Sequence, residues 1–271
     1  MTKKLKIYVT ITSLFILGSC SIASSWFYER TDIYLADYFK EYANFSNEQE
    51  DEIDKVTKNY LDWFTTNELP AIRDLLVSLK DVNNSNAKDL IDETYVVGQE
   101  LFARSNKYFE KSFIEFFKNL TDLQVEEIKS HFEEIRIERE ESRKEKNTYP
   151  EEVAENYISG FRRINIKLTK SQRDYVNENI KGLKNMRADW SFFQEKWVEE
   201  LIGILEKRKD QDFEIKITSH LKNLESLGDE EFQLKRKNNE QIGIKIISGI
   251  LSNASEKQIK GAKRRIDTFI A

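Results

Sequence analysis

The residue of this chain best placed for covalent chemistry is Cys20, the only cysteine among 271 residues. It follows a cationic start at Lys3, Lys4 and Lys6, an almost unbroken apolar run from Ile7 to Leu17, and the small residues Gly18 and Ser19. The run is far shorter than the ~20 apolar residues that a membrane-spanning helix needs. Its flanks are those of a cleaved export signal, which makes residues 1–19 a signal peptide and residues 20–271 the mature chain. With one cysteine, no internal disulfide can form. The plainer reading of the same residues is an ordinary signal peptide or a short anchor, with Cys20 an incidental thiol.

Other catalytic chemistry is hard to find. His131 and His220 are the only histidines, and neither has a carboxylate or cysteine at metal-ligand spacing that stands out from the glutamate background. His131 has no second histidine four residues on, so a zinc-protease helix is not supported. There is no phosphate-binding glycine loop and no Gly-x-Ser-x-Gly elbow. Paired carboxylates occur throughout, so none selects a glycosidase. The expectation is a protein that is not an enzyme, with no catalytic residue, no metal and no cofactor.

A second pattern recurs four times. An apolar residue precedes Ser or Thr, two variable residues follow, and the motif ends in Gln: Ser46/Gln49, Thr121/Gln124, Thr169/Gln172 and Ser255/Gln258. This is the spacing of a capping box, in which the hydroxyl accepts from the backbone N–H three residues on and the Gln side chain reaches back to the N–H of the cap. Each copy therefore predicts a helix start. Capping alone does not explain why so glutamate-rich a chain uses Gln every time.

The elements these caps would start are helical. The chain has two prolines, nine glycines and 34% charged residues, and apolar residues return at helical spacing in almost every segment. Ile53, Val56, Tyr60, Trp63 and Phe64 form one stripe. An aromatic one runs from Leu90 to Phe117, and a third includes Leu123, Ile128, Phe132 and Ile135. The longest predicted helix runs from about Ser171 to Lys209, with Val176, Ile180, Leu183, Met186, Trp190, Trp197, Leu201 and Leu205 on one face. The fold class is all-α, expected as an elongated antiparallel bundle of long amphipathic helices. Asp81 to Asn86 and Asn147 to Pro150 are polar turn candidates, and Glu138 to Lys146 is a solvated helix end. Removing residues 1–19 takes three lysines and leaves 40 basic against 48 acidic residues, a formal charge of −8. An acidic surface argues against a nucleic-acid partner.

Three resemblances extend this reading. Leu17-Gly18-Ser19-Cys20 resembles a bacterial lipobox. That implies a diacylglyceryl thioether on Cys20, cleavage before it, and acylation of the new amino terminus. The covalent lipid would then be the only added group, and three acyl chains hold durably in a bilayer. In Gram-negative hosts Ser21 at the next position implies the periplasmic face of the outer membrane. Trp26, Phe27 and Tyr28 follow without a Ser/Gly-rich tether, so they belong either at the membrane interface or in the core. Leu120 to Gln124 and Leu168 to Gln172 match the LTxxQ signature of the Spy and CpxP periplasmic proteins, which are helical chaperones and stress modulators. The copies at Phe45 and Ala254 depart from it at the first position and carry Ser for Thr.

The order of lipobox, Asp37-Tyr38, Glu68-Leu69-Pro70, central LTxxQ copies and Trp190/Trp197/Arg208 resembles a family of uncharacterised bacterial lipoproteins. That family implies a helical, membrane-tethered protein and supplies no activity. Two functions are expected to compete, a chaperone-like or client-binding envelope protein and an adaptor positioning a partner complex at the membrane. The 75-residue and 86-residue separations of Gln49/Gln124 and Gln172/Gln258 would fit a remote duplication with halves at about 20–147 and 148–271. Whether the apolar stripes are core or binding surface is left open by the sequence.

Overall fold

The computed structural model describes residues 31–144, 148–222 and 227–270. Cys20, the signal segment and Trp26 to Tyr28 lie outside the described residues, as does Leu224. Among the described residues there are eleven helices and no strand, so the protein is all-α. In chain order they are α1 (Thr31–Lys40), α2 (Asn47–Asn67), α3 (Leu69–Leu79), α4 (Ala87–Lys118), α5 (Asp122–Lys144), α6 (Tyr149–Arg163), α7 (Lys170–Ile180), α8 (Arg187–Glu206), α9 (Phe213–Lys222), α10 (Glu230–Ser252) and α11 (Glu256–Ile270).

The longest helix is the aromatic α4, with 32 residues. The single helix expected over Ser171 to Lys209 is instead two, α7 and α8, separated by a turn at 181–186. The apolar period continues through the turn, which is why the sequence reads as one helix. What decides the break is distant in sequence. The Asn239 side chain accepts from the Lys184 N–H at 2.8 Å and donates back to the Lys184 carbonyl at 2.8 Å. Asn238 donates to the Gly182 carbonyl at 3.2 Å. Two asparagines of α10 thus satisfy backbone groups that a continuous helix would satisfy internally.

Other breaks were local and legible. Pro70 stands in the first turn of α3, where its missing N–H costs nothing, and Pro150 does the same in α6. Between α2 and α3 the carboxylate of Glu68, only 3% exposed, receives two hydrogen bonds of 2.8 Å from Arg104 on α4. This bidentate pair ties the corner to the long helix. The charged residues Glu138 to Glu141 close α5 on the surface, as expected of a solvated end. In the third stripe Leu123 points outward, and Val125 takes the buried position beside Leu120.

Two cores result. An aliphatic one joins the start of α4 (Ala87, Leu90, Ile91) to α6, α7, the second half of α10 (Ile246, Ile250, Leu251) and α11. The other is rich in aromatic residues and joins the end of α4, α5, α8 and α9 to the Tyr42–Phe45 corner after α1. Residues 20–147 and 148–271 each contribute to both cores, and α4 runs through both.

Candidate functional site

The four capping boxes form, and they meet in pairs. At the first pair, Ser46 N–H donates to Gln49 Oε1 at 2.9 Å and Thr121 N–H donates to Gln124 Oε1 at 3.0 Å. Each glutamine then uses its amide nitrogen on the other. Gln124 Nε2 donates to Gln49 Oε1 at 2.7 Å, and Gln49 Nε2 to Gln124 Oε1 at 3.1 Å. The second N–H of each reaches the carbonyl two residues before the opposite cap, at Asn44 (3.1 Å) and Asn119 (3.5 Å).

The second pair repeats this arrangement. Thr169 N–H and Ser255 N–H donate to Gln172 and Gln258 Oε1 at 3.0 and 2.9 Å. Gln258 Nε2 donates to Gln172 Oε1 at 2.8 Å and to the Lys167 carbonyl at 2.8 Å. Gln172 Nε2 donates to Gln258 Oε1 at 3.3 Å and to the Asn253 carbonyl at 3.2 Å. In both clasps each amide oxygen accepts twice and each amide nitrogen donates twice, so the group is fully satisfied.

This geometry answers the question of residue choice. A glutamate could still receive the cap N–H but has no N–H to give the facing side chain or the opposite carbonyl. The chain has a control of its own at Thr148, whose N–H donates to Glu151 Oε2 at 3.0 Å. Glu151 is exposed and meets no second box, and there a carboxylate serves. The sequence pattern centred on Gln passes over this fifth box.

A third partner closes the first clasp. Arg208, 4% exposed, donates to the Leu120 carbonyl at 2.7 Å, the Leu205 carbonyl at 3.0 Å and the Asp122 carboxylate at 2.5 Å. The guanidinium holds the Asp122 carboxyl below its ordinary range, chiefly through that hydrogen bond. In the second clasp the corresponding carbonyl, Leu168, receives Arg173 Nη1 at 2.7 Å from the adjoining helix α7. The role of Arg208 is invisible in the local spacing, because it acts across 88 residues, whereas Arg173 reaches only five residues back.

Beside the first clasp lies a cavity of about 200 Å³. Its walls come from α1, α2, α4, α5, α8 and α9, and its aromatic face includes Phe39, Tyr42, Phe109, Phe113 and Trp197. Phe109, Phe113 and Phe117 stack one turn apart along α4, with ring centroids 5.6 and 5.7 Å apart. Most of the wall is half-buried, so the aromatic stripe of α4 is neither closed core nor open surface. Burial, with help from Tyr38, raises the pKa of the Tyr42 phenol and keeps it protonated, 2.7 Å from the Tyr38 hydroxyl. Of the polar wall residues, Thr57 is spent on the carbonyl of Ile53 at 2.9 Å. Glu52 makes no ion pair or side-chain hydrogen bond among the described residues.

The two histidines lie on different helices, α5 and α9, and each packs against an aromatic ring. His131 lies against Tyr42 with centroids 4.4 Å apart. His220 is 4% exposed and stacks on Trp197 at 4.5 Å. Burial lowers its pKa despite Glu200, whose carboxylate is 3.7 Å away. Its Nε2 has no hydrogen-bond partner. Among the described residues no group of three or more potential ligands is placed to hold a metal ion. No described helix is long and apolar enough to cross a membrane.

The clasp and cavity residues fall largely within one stretch of family likeness. A model of a family of unknown function, DUF6279, matches residues 41–233, more than two thirds of the chain. The chain belongs to the DUF6279 family. The match contains the whole first clasp, Arg208 and every cavity residue named above except Phe39. It stops before Ser255 and Gln258 of the second clasp. No curated protein and no solved structure matches the chain.

Proposed function

We propose that this DUF6279 protein is a non-enzymatic lipoprotein of the bacterial envelope that captures a large apolar side chain of a client protein in the aromatic cavity. The address rests on the lipobox-like residues ending at Cys20, which favour a lipid anchor and the periplasmic face of the outer membrane. The activity rests on the cavity. Cavities of about 150 Å³ accept benzene-sized groups when apolar, and small-molecule sites usually run to about 300 Å³ or more. A volume of about 200 Å³ therefore suits one ring or branched aliphatic side chain better than a whole small ligand. A few buried side chains carry most of the affinity of a typical protein interface.

The decisive experiment fills the cavity from its own walls. Val56→Phe and Ser112→Leu should each lower suppression of aggregation of a denatured client by the full chain, held in phosphatidylcholine nanodiscs, by at least half. Unfolding midpoints should stay close to that of the parent. Full suppression by well-folded filled variants would sink this reading.

A second reading, an adaptor for a partner complex, is favoured by a separate opening of about 350 Å³ between α8 and α10. Phe192, 60% exposed, stands there beside Phe193, Phe232 and Lys235. Exposed apolar side chains next to charge are typical of a docking rim.

A further inference from the structure

The cavity wall contains one residue that an apolar site does not need. Along α2 the face toward the cavity reads Glu52, Ile53, Val56 and Thr57, and helical periodicity would put an apolar side chain at the first of these positions. Glu52 is instead a half-buried acidic residue of the wall, which it shares with Phe39, Phe45 and Phe113. Lys40 on α1 pairs with Asp54 at 2.7 Å and not with Glu52. Glu48, Glu50 and Asp51 add further negative charge on the same turns of α2. Aromatic faces and a carboxylate attract the same kind of group, a cation.

Resting on the cavity reading above, we propose that the captured apolar side chain is one that stands next to a lysine or arginine in the client, whose cation meets Glu52. The ring or aliphatic group fills the cavity while the neighbouring cation reaches the carboxylate at its wall. An acidic client segment is rejected by the same residue, and a neutral one is bound through the cavity alone. Charge here sets which clients are chosen, and apolar volume sets that binding occurs.

Three fluorescent peptides test this, identical except that the residues flanking one central Phe are Lys, Gln or Glu. Each is titrated onto the full chain in phosphatidylcholine nanodiscs, with empty nanodiscs subtracted. The Lys peptide should bind three- to tenfold tighter than the Gln peptide, and the Glu peptide weakest. In Glu52→Gln the Lys preference should fall below twofold, while the Gln peptide binds as to the parent. Asp51→Asn, on the same acidic turn but off the cavity wall, should keep the preference. Equal binding of all three peptides to the parent overturns this inference and leaves the cavity reading standing. A Lys preference that survives Glu52→Gln overturns it too, by assigning the selection to the general acidic surface. If none of the peptides binds, the cavity reading fails along with it.

Discussion

The same hydrogen-bond device is built twice, in two different surroundings. The Gln172/Gln258 clasp is buried on both sides, at 6% and 8% exposure, and joins α7 and α11, which both contribute to the aliphatic core. In the Gln49/Gln124 clasp only Gln124 is buried, at 5%, and the two helices it joins, α2 and α5, both line the aromatic cavity. The first core is built largely from branched aliphatic side chains, whereas the rings of the second enclose a cavity of about 200 Å³. The comparison separates what the clasp does from what the protein does with it. A clasp fixes two helix starts against each other in either setting, and the aromatic setting also leaves room for a guest.

The largest effect should come from breaking the donor half of each clasp. Gln172→Glu keeps the cap but places a carboxylate against Gln258 Oε1 and leaves the Asn253 carbonyl without its donor. An uncompensated charge at this depth costs about 3–5 kcal/mol. Gln49→Glu, at the half-exposed clasp, should cost about 1–2 kcal/mol. Urea unfolding of the two variants measures the difference, and equal losses would show that burial does not distinguish the clasps.

A smaller contrast is expected at the arginines. Arg208→Ala removes donors from two carbonyls and one carboxylate in a buried site, for about 2–4 kcal/mol, and should speed amide exchange at the start of α5. Arg173→Ala removes one bond from a half-buried side chain, for about 1 kcal/mol. Exchange that quickens at both clasps in either variant would contradict the local assignment.

The smallest effect concerns pH, and it falls on the aromatic side only. His220 is held neutral in the fold because burial lowers its pKa from 6.5. Its contribution is fully present above about pH 6.5 and is lost as pH falls, because the unfolded chain then binds the proton that the fold refuses. The slope approaches about 1.4 kcal/mol per pH unit at most. His220→Phe should flatten the stability profile between pH 6.5 and 5, as followed by thermal unfolding.

Much of this was legible from spacing. Caps at Ser46, Thr121, Thr169 and Ser255 depend on residues three positions apart, and the helical stripes on periods of three and four. The partnership of Gln49 with Gln124 and of Gln172 with Gln258 was not legible, since separations of 75 and 86 residues suggested only a remote duplication. What sequence could not show was set by distant groups with no local signature. Asn238 and Asn239 break the helix expected over Ser171 to Lys209, Arg104 holds Glu68, and Arg208 reaches Leu120. The cavity was equally hidden, because a stripe of phenylalanines reads the same whether the rings meet or leave a gap. Cys20, the most telling residue of the sequence, lies outside the described structure.

Helix α4 has a mechanical consequence. At 1.5 Å per residue its 32 residues reach about 48 Å, and both cores are fastened to this one beam. A hinge between the cores would have to bend the beam, and straight helical segments without proline resist bending. The short α1 and the front of α2 bear on one end of it only. Widening the cavity for a guest without bending α4 moves the helices around it, which makes α1 and the front of α2 part of the jaw and α4 the fixed anvil.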